Sequence, residues 1–135
     1  MTKQEFLAMS LPYGVKILTR EEVTEITAIG IMQYQISEKN FAYGWYGDIY
    51  DCKPILHPLS DLTNPIEHKG EKFVPINRIK ESQYHLFFRD DITSPIEGLQ
   101  FSELRKLIEW HFDIADLISN GEAIDVNTLE VNPYK

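Results

Sequence analysis

The chain has 135 residues, 43% of them hydrophobic and 25% charged, a composition typical of one globular domain with a real core and not of a disordered chain. The single cysteine, Cys52, excludes internal disulfides and multi-cysteine metal sites, and it fits a reducing, intracellular setting. The net charge of −8 is uneven, because residues 90–135 carry 3 Lys or Arg against 10 Asp or Glu, which argues against sequence-independent binding to nucleic acid phosphates.

Neither a secretory signal nor a membrane span is predicted. The start, MTKQEFLAMSLPYG, has no continuous apolar run, and no later stretch approaches the ~20 apolar residues that a span requires. We therefore expect a cytoplasmic protein that does not contact a membrane.

The first half of the chain predicts one short helix followed by strands. Thr2 can cap the helix, with Glu5 three residues later forming a capping box, and Leu11-Pro-Tyr-Gly14 ends it. Residues 15–19 are typical of a strand, and residues 23–36 predict one long strand or two strands with a break near Gly30.

Two further β segments are indicated before the middle of the chain ends. Residues 41–50 (FAYGWYGDIY) predict a strand, and the segments on either side of Lys69-Gly70 predict a hairpin from Pro65 to Ile76. The simplest arrangement of these strands is a small antiparallel sheet.

The stretch KPILHPLSDLT (53–63) contains the residue types of a hydrolytic triad in His57, Ser60 and Asp61. A triad needs the base between nucleophile and carboxylate, and residues so close in one local turn rarely meet that geometry. Because the prolines restrict the backbone on either side, we expect a rigid loop in which Ser60 closes a helical turn.

The second half predicts a long amphipathic helix over about residues 102–119, ended by Asn120-Gly121. At ~100° per residue its apolar side chains span roughly 220°, so the helix should pack deeply on the sheet. We expect Leu107, Ile108, Trp110 and Ile114 to be buried, and His111 to be a core histidine.

Two surfaces are candidates for binding a partner. Glu109, Asp113 and Asp116 would form one acidic stripe on the predicted helix, suited to a basic region of another protein. On the predicted strand 41–50, Tyr46 and Tyr50 share a face that either binds a peptide, base or sugar or carries ordinary surface tyrosines.

No cofactor or metal is predicted. His57, Asp61, Glu67 and His68 do not have the spacing of a known metal site, and phosphate-binding glycine patterns are absent. If the protein is an enzyme, His57, Asp61 and Glu67 are its candidate catalytic residues.

Three stretches carry a resemblance to known sequences: MTKQEFLAMSLPYGVKIL, CKPILHPLSDLTNPIEHKGEKFVPI and LIEWHFDIADLISNGEAIDVNTLEVNPYK. Together they resemble a group of small uncharacterised proteins encoded by prophages, phages and mobile elements of gut Bacteroidales. The resemblance implies such an origin and expression in the bacterial host, and it supplies no activity, cofactor or catalytic residue.

The sequence thus predicts a single α+β domain over residues 1–135, with a short N-terminal helix and a small antiparallel sheet on which the 102–119 helix packs. The first functional hypothesis is a non-enzymatic accessory protein that contacts a host or phage protein in the host cytoplasm. A small hydrolase-like enzyme and a virion component are the alternatives, and the sequence does not indicate the oligomeric state.

Overall fold

The computed structural model of the chain describes residues 1–18, 23–29, 33–36, 47–48, 52–80 and 101–135. Its helices are α1 (Lys3–Ser10), α2 (Pro75–Lys80) and α3 (Phe101–Glu109). Its strands are β1 (Lys16–Leu18), β2 (Val23–Ile29), β3 (Gln33–Ile36), β4 (Gly47–Asp48), β5 (Lys53–Leu56), β6 (Ile66–His68), β7 (Glu71–Phe73) and β8 (Ile124–Asp125). The α+β class predicted from the sequence is confirmed.

Six of the strands form one sheet in the order β4-β3-β2-β1-β5-β8, and β6 pairs with β7 as a separate hairpin. Neighbouring strands are antiparallel except β5 and β8, which are parallel. The parallel pair brings the segment after α3 alongside the middle of the chain, a connection that the predicted antiparallel sheet did not include.

The predicted N-terminal helix is confirmed, together with its capping box. The backbone N–H of Glu5 donates to Thr2 Oγ1, and the backbone N–H of Thr2 donates to Glu5 Oε1, each at 3.1 Å. A 3-10 turn over Leu11–Tyr13 follows, and Gly14 at φ 70° turns the chain into β1. Only a residue that tolerates the left-handed region fits this turn.

The strand predictions for residues 15–36 and the hairpin are also confirmed. Val23–Ile29 and Gln33–Ile36 form the antiparallel strands β2 and β3, and β6 and β7 pair across Lys69 (φ 50°) and Gly70 (φ 80°). Two consecutive residues at positive φ match the tight turn that favours hairpins. Of the predicted strand 41–50, only β4 lies within the described residues.

Part of the predicted loop over residues 53–63 is a strand, and this expectation was wrong. β5 occupies Lys53–Leu56, between β1 and β8. Pro54 is tolerated because β8 pairs only with Ile55 and Leu56, so the proline lacks a neighbour on that side of the strand. The remainder is a 3-10 turn over Leu59–Thr63, as expected for a helical turn after Pro58.

The long C-terminal helix predicted over 102–119 is also wrong, because α3 ends at Glu109. His111 adopts a left-handed conformation with φ 64°, and the N–H groups of His111 and Phe112 donate to the carbonyls of Ile108 and Leu107. This is the Schellman arrangement that ends helices. Beyond it the chain contains turns, the two-residue β8 and a 3-10 turn over Val126–Thr128.

The segment after α3 is nevertheless buried, which explains its helix-like apolar pattern. Leu107, Ile108, Trp110 and Ile114 are all less than a tenth exposed, as predicted. The segment belongs to the main core, which also joins α1, β1, β2 and β5. A smaller cluster of Ile55, Val126 and Tyr134 lies beside it. Among the described residues, no helix has the length and apolar character needed to cross a membrane.

Candidate functional site

The C-terminal tail, defined as residues 129–135, is fixed to the sheet by Tyr134, whose side chain is 5% exposed. The Tyr134 hydroxyl accepts a hydrogen bond from the Lys16 N–H at 2.8 Å and lies 2.7 Å from the Ile55 carbonyl oxygen, to which it donates. The pairing of β1 with β5 places Lys16 opposite Ile55, one position beyond Ile17 and Pro54. The tyrosine hydroxyl therefore connects the two strands where their own ladder stops.

Backbone pairing places two histidines on adjacent segments beneath this tyrosine. The His57 N–H donates to the His111 carbonyl at 2.8 Å, and the Asp113 N–H donates to the His57 carbonyl at 2.9 Å. His57 thereby forms an isolated parallel bridge with Phe112, just after β5. This bridge begins immediately after the helix end at His111, so the same residues that stop α3 also position both imidazoles.

His57, His68 and His111, which we call the histidine cluster, surround the Tyr134 ring. The Tyr134 ring centroid lies 3.8 Å from that of His111, with the two rings stacked, and 6.5 Å from those of His57 and His68. The His68 and His111 centroids are 5.4 Å apart. All three histidines are less than a tenth exposed. One aromatic ring therefore covers three imidazoles.

Burial is the main cause of a lowered pKa at each of the three histidines, and it favours their neutral form. It lowers the pKa of His57, although the nearby carboxylate of Asp61 partly offsets the effect. Burial also lowers the pKa of His68, and it lowers that of His111 well below its ordinary value, with further lowering by repulsion from the other two imidazoles. The buried hydroxyl of Tyr134 has a raised pKa for the same reason and stays protonated.

A groove runs along the tail, between the 3-10 turn at 59–63, the β6–β7 hairpin and residues 126–135. This tail groove has a volume of about 560 Å³. Its lining includes the three candidate catalytic residues of the sequence, His57, Asp61 and Glu67. His57 Nδ1 is 3.6 Å from Asp61 Oδ2, longer than a hydrogen bond.

Two asparagines fix Asp61 at the wall of the tail groove. Asn64 Nδ2 donates to Asp61 Oδ1 at 3.3 Å, and Asn127 Nδ2 donates to Asp61 Oδ2 at 2.8 Å. Both asparagines are exposed, and neither side-chain carbonyl oxygen bonds to a described residue. Both asparagines line the groove, together with the acidic residues Glu67 and Glu130 and the lysines Lys72 and Lys135.

The acidic stripe predicted on the long helix does not exist, because that helix ends before two of its three members. Asp113 is 5% exposed, and its carboxylate accepts hydrogen bonds from the N–H groups of Leu117 and Ile118. Burial raises the pKa of Asp113 despite these bonds. Glu109 is half-buried at the end of α3, and Asp116 is exposed in a left-handed turn.

Other candidate residues have clear positions. Ser60 is exposed within the 3-10 turn, and its carbonyl accepts a bond from Thr63 Oγ1 at 3.5 Å, which confirms a role in closing the turn. Neither nitrogen of His57 has a hydrogen-bond partner among the described residues, so Ser60 and His57 do not form part of a triad. Tyr46 and Tyr50 lie outside the described residues.

Sequence reasoning grouped His68 with His57 only as a rejected metal site, and it connected neither of them to His111 or Tyr134. Their positions in the chain carry no ligand spacing, and only the folded chain brings them together. Within the described residues, no group of three or more His, Cys, Asp or Glu side chains is arranged to hold a metal ion.

The comparisons with known proteins show no family for the chain. No protein-family model matches it, and neither a curated protein nor a solved structure gives a significant match.

Proposed function

We propose that the protein is a non-enzymatic accessory protein of a phage or mobile element, which binds a host or phage protein in the cytoplasm of the bacterial host. The resemblance of its three sequence stretches to proteins of Bacteroidales phages and mobile elements supports this origin. The binding surface that we assign is the tail groove.

The main support for the proposal is that several residues with hydrogen-bond acceptors line the tail groove. The side-chain carbonyl oxygens of Asn64 and Asn127 have no hydrogen-bond partner among the described residues, and both asparagines line the same groove as Glu67 and Glu130. Several acceptors in one groove suit a partner segment rich in N–H donors, either an extended backbone or Lys and Arg side chains. We assign the groove to such a partner in place of the predicted helix stripe, since its lining has three carboxylate side chains, those of Asp61, Glu67 and Glu130, against the two lysines Lys72 and Lys135.

An apolar contact is available at the same place. Val131 lines the groove and is 70% exposed, the highest value among the large hydrophobic side chains of the described residues. An exposed apolar side chain beside polar groups is typical of a protein contact site. A partner segment that covers Val131 would strengthen the polar contacts by excluding water.

Affinity capture from phage-infected host cells tests the proposal. Glu130→Lys reverses a charge within the groove, and Glu122→Lys makes the same change outside it, on a residue that does not line the groove. We expect the wild-type chain and Glu122→Lys to retain the same partner, and Glu130→Lys to lose at least tenfold in affinity at low salt. Equal retention by both folded variants would exclude the groove as the binding surface.

An enzyme is the second candidate, because His57, Asp61 and Glu67 line one groove. The argument against it is that both ring nitrogens of His57 are buried, so a substrate in the groove does not reach them. The test is hydrolysis of ester and amide substrates by wild type and His57→Gln. An activity that His57→Gln abolishes, in a chain that remains folded, would favour the enzyme.

A further inference from the structure

The histidine cluster contains an unusual number of buried polar atoms without partners. Both ring nitrogens of His57 and of His68, and Nδ1 of His111, are buried and have no hydrogen-bond partner among the described residues. A neutral imidazole has one donor and one acceptor, and burial without partners disfavours the folded arrangement. Three such side chains in contact with one tyrosine are not explained by packing alone.

The conformation of His111 adds to the cost of this arrangement. His111 has φ 64°, a left-handed conformation that is less favourable than the right-handed one for residues other than glycine, although histidine adopts it more often than most. Its ring is stacked on Tyr134 at 3.8 Å, so the strained residue is the one in closest contact with the tail. The unpaired imidazole nitrogens and the backbone conformation of His111 therefore both disfavour closure of the tail, residues 129–135, over the histidine cluster.

Apolar packing of Tyr134 with Ile55 and Val126 and a small number of hydrogen bonds oppose this cost and hold the tail closed. Besides the hydroxyl bonds of Tyr134, the Lys69 N–H donates to the Tyr134 carbonyl at 2.7 Å, and Asn132 Nδ2 donates to the Glu67 carbonyl at 3.1 Å. These bonds join the tail to β1, β5 and the β6–β7 hairpin. If they opened, all three imidazoles would become accessible to water at once.

Charged groups from the surrounding elements also face the histidine cluster. The carboxylates are Asp61, Asp125, Glu109 and Glu25, and the cations are Lys16 and Lys69. Asp61 is held by the two asparagines, and its Oδ2 is 3.6 Å from His57 Nδ1. Each protonated imidazole would be attracted by only one or two of these carboxylates. The three protonated imidazoles would, however, repel one another and both lysines.

We propose that the histidine cluster makes closure of the C-terminal tail acid-sensitive, so that protonation of the imidazoles releases residues 129–135 while the sheet, α1 and α3 stay folded. The tail supplies residues 129–132 and Lys135 to the tail groove. Release therefore removes one wall of the groove. The inference does not rest on what the groove binds.

The expected size of the effect follows from proton linkage. A histidine that is neutral in the closed state and has its ordinary pKa of about 6.5 in the open state shifts the opening equilibrium about tenfold between pH 7.5 and pH 5.5. Because the open state binds the protons, opening becomes more favourable as the pH falls. Three such histidines give up to about a thousandfold.

Hydrogen exchange of the full chain at pH 7.5, 6.5 and 5.5, corrected for the intrinsic exchange rates, tests the inference. The N–H groups of Lys16 and Lys69 report on the tail, because both donate to Tyr134, and the N–H of Ile26, which donates to Val15, reports on the core. We expect protection of Lys16 and Lys69 to fall with pH, by up to about a thousandfold, and to stay below that of Ile26 at every pH, because the tail opens without the core. Equal protection at all three sites at each pH, or no loss at the tail, would overturn the inference.

Single substitutions identify the groups that titrate. His57→Gln and His68→Gln keep a donor and an acceptor but do not protonate, so each should reduce the pH response by about tenfold. The matched control is His85→Gln, which removes the fourth histidine of the chain. A full response in both cluster variants, or a response abolished in His85→Gln, would contradict the assignment.

If a variant does not fold, a pH titration of the histidine NMR signals of the wild-type chain tests the inference. The three cluster imidazoles should titrate together with the loss of tail protection. Titration of each at its ordinary pKa, with the Lys69 N–H still protected, would show that protonation and closure are compatible and would overturn the inference.

Discussion

Replacing Tyr134 by phenylalanine removes one hydroxyl and keeps the ring that covers the histidine cluster. The Lys16 N–H loses its acceptor, at 2.8 Å, and the Ile55 carbonyl loses a donor, at 2.7 Å. A buried group left without a partner costs about 1–3 kcal/mol, and Lys16 is only half-buried, so its N–H regains part of that from water. We expect Tyr134→Phe to lower the free energy of unfolding by about 2–3 kcal/mol.

Urea unfolding followed by circular dichroism and tryptophan fluorescence measures this change, and thermal unfolding should show a Tm lower by roughly 7–10 °C. Tyr13→Phe is the matched control, because Tyr13 is half-buried and its hydroxyl forms no hydrogen bond within the described part of the chain. If Tyr134→Phe unfolds within ~0.5 kcal/mol of wild type, the hydroxyl does not connect β1 and β5 in the way described.

Four further outcomes follow from the packing and the titrating groups. Trp110→Ala, at a 7%-exposed core position, should cost about 3–5 kcal/mol in chemical unfolding, and a cost under ~1 kcal/mol would contradict its burial. Gly14→Ala and Gly121→Ala should each destabilise by about 1 kcal/mol, because both have positive φ and the one close contact of a Cβ at Gly14, with Glu25 Oε1 at 2.9 Å, is relieved when that flexible side chain moves; unchanged unfolding midpoints would refute this. Asp113→Ala leaves two backbone N–H groups unpaired and should cost about 2–4 kcal/mol by the same assay, whereas a neutral change would remove its capping role. The free energy of unfolding should fall as the pH drops below about 6.5, since the pKa of each cluster histidine is lowered by folding and the unfolded chain binds the protons; flat stability from pH 7.5 to 5.5 would oppose this.

The elements that were predictable from sequence are those fixed by local chemistry. Thr2 and Glu5 define the start of α1, and Lys69-Gly70 defines the hairpin turn, because caps and tight turns depend on a few adjacent residues. Burial of Leu107 and Trp110 was predictable as well, since their apolar character requires a core position in a helix or in a turn.

The end of α3 was not predictable in the same way, because a tertiary contact decides it. The apolar pattern continues past Glu109 without a glycine or proline, and His111 is not a residue that usually ends helices. Pairing of Phe112 and Asp113 with His57 competes successfully with further helical hydrogen bonds. Only the position of His57 in the folded chain contains that information.

Prediction of the candidate site from the sequence would require even more long-range contacts than prediction of the end of α3. His57, Asp61 and Glu67 were named from one segment, and they do line one groove. Asn127, which fixes Asp61, lies 66 positions from it in the chain, and Tyr134, which covers the histidines, is held by Ile55 over 79 positions. No local pattern marks an asparagine or a tyrosine for such a role.

The hydroxyl bridge of Tyr134 also sets an order for biosynthesis. Lys16 and Tyr134 are 118 positions apart, and Ile55 and Tyr134 are 79 apart. Because the ribosome adds residues at ~5–20 per second, β1 and β5 leave it several seconds before the tyrosine that joins them. During that interval the edge of β5 that β8 later covers is open to pairing with another chain, a state that favours aggregation. A nascent chain stalled before residue 124 should therefore bind chaperones more strongly than one that includes residue 134.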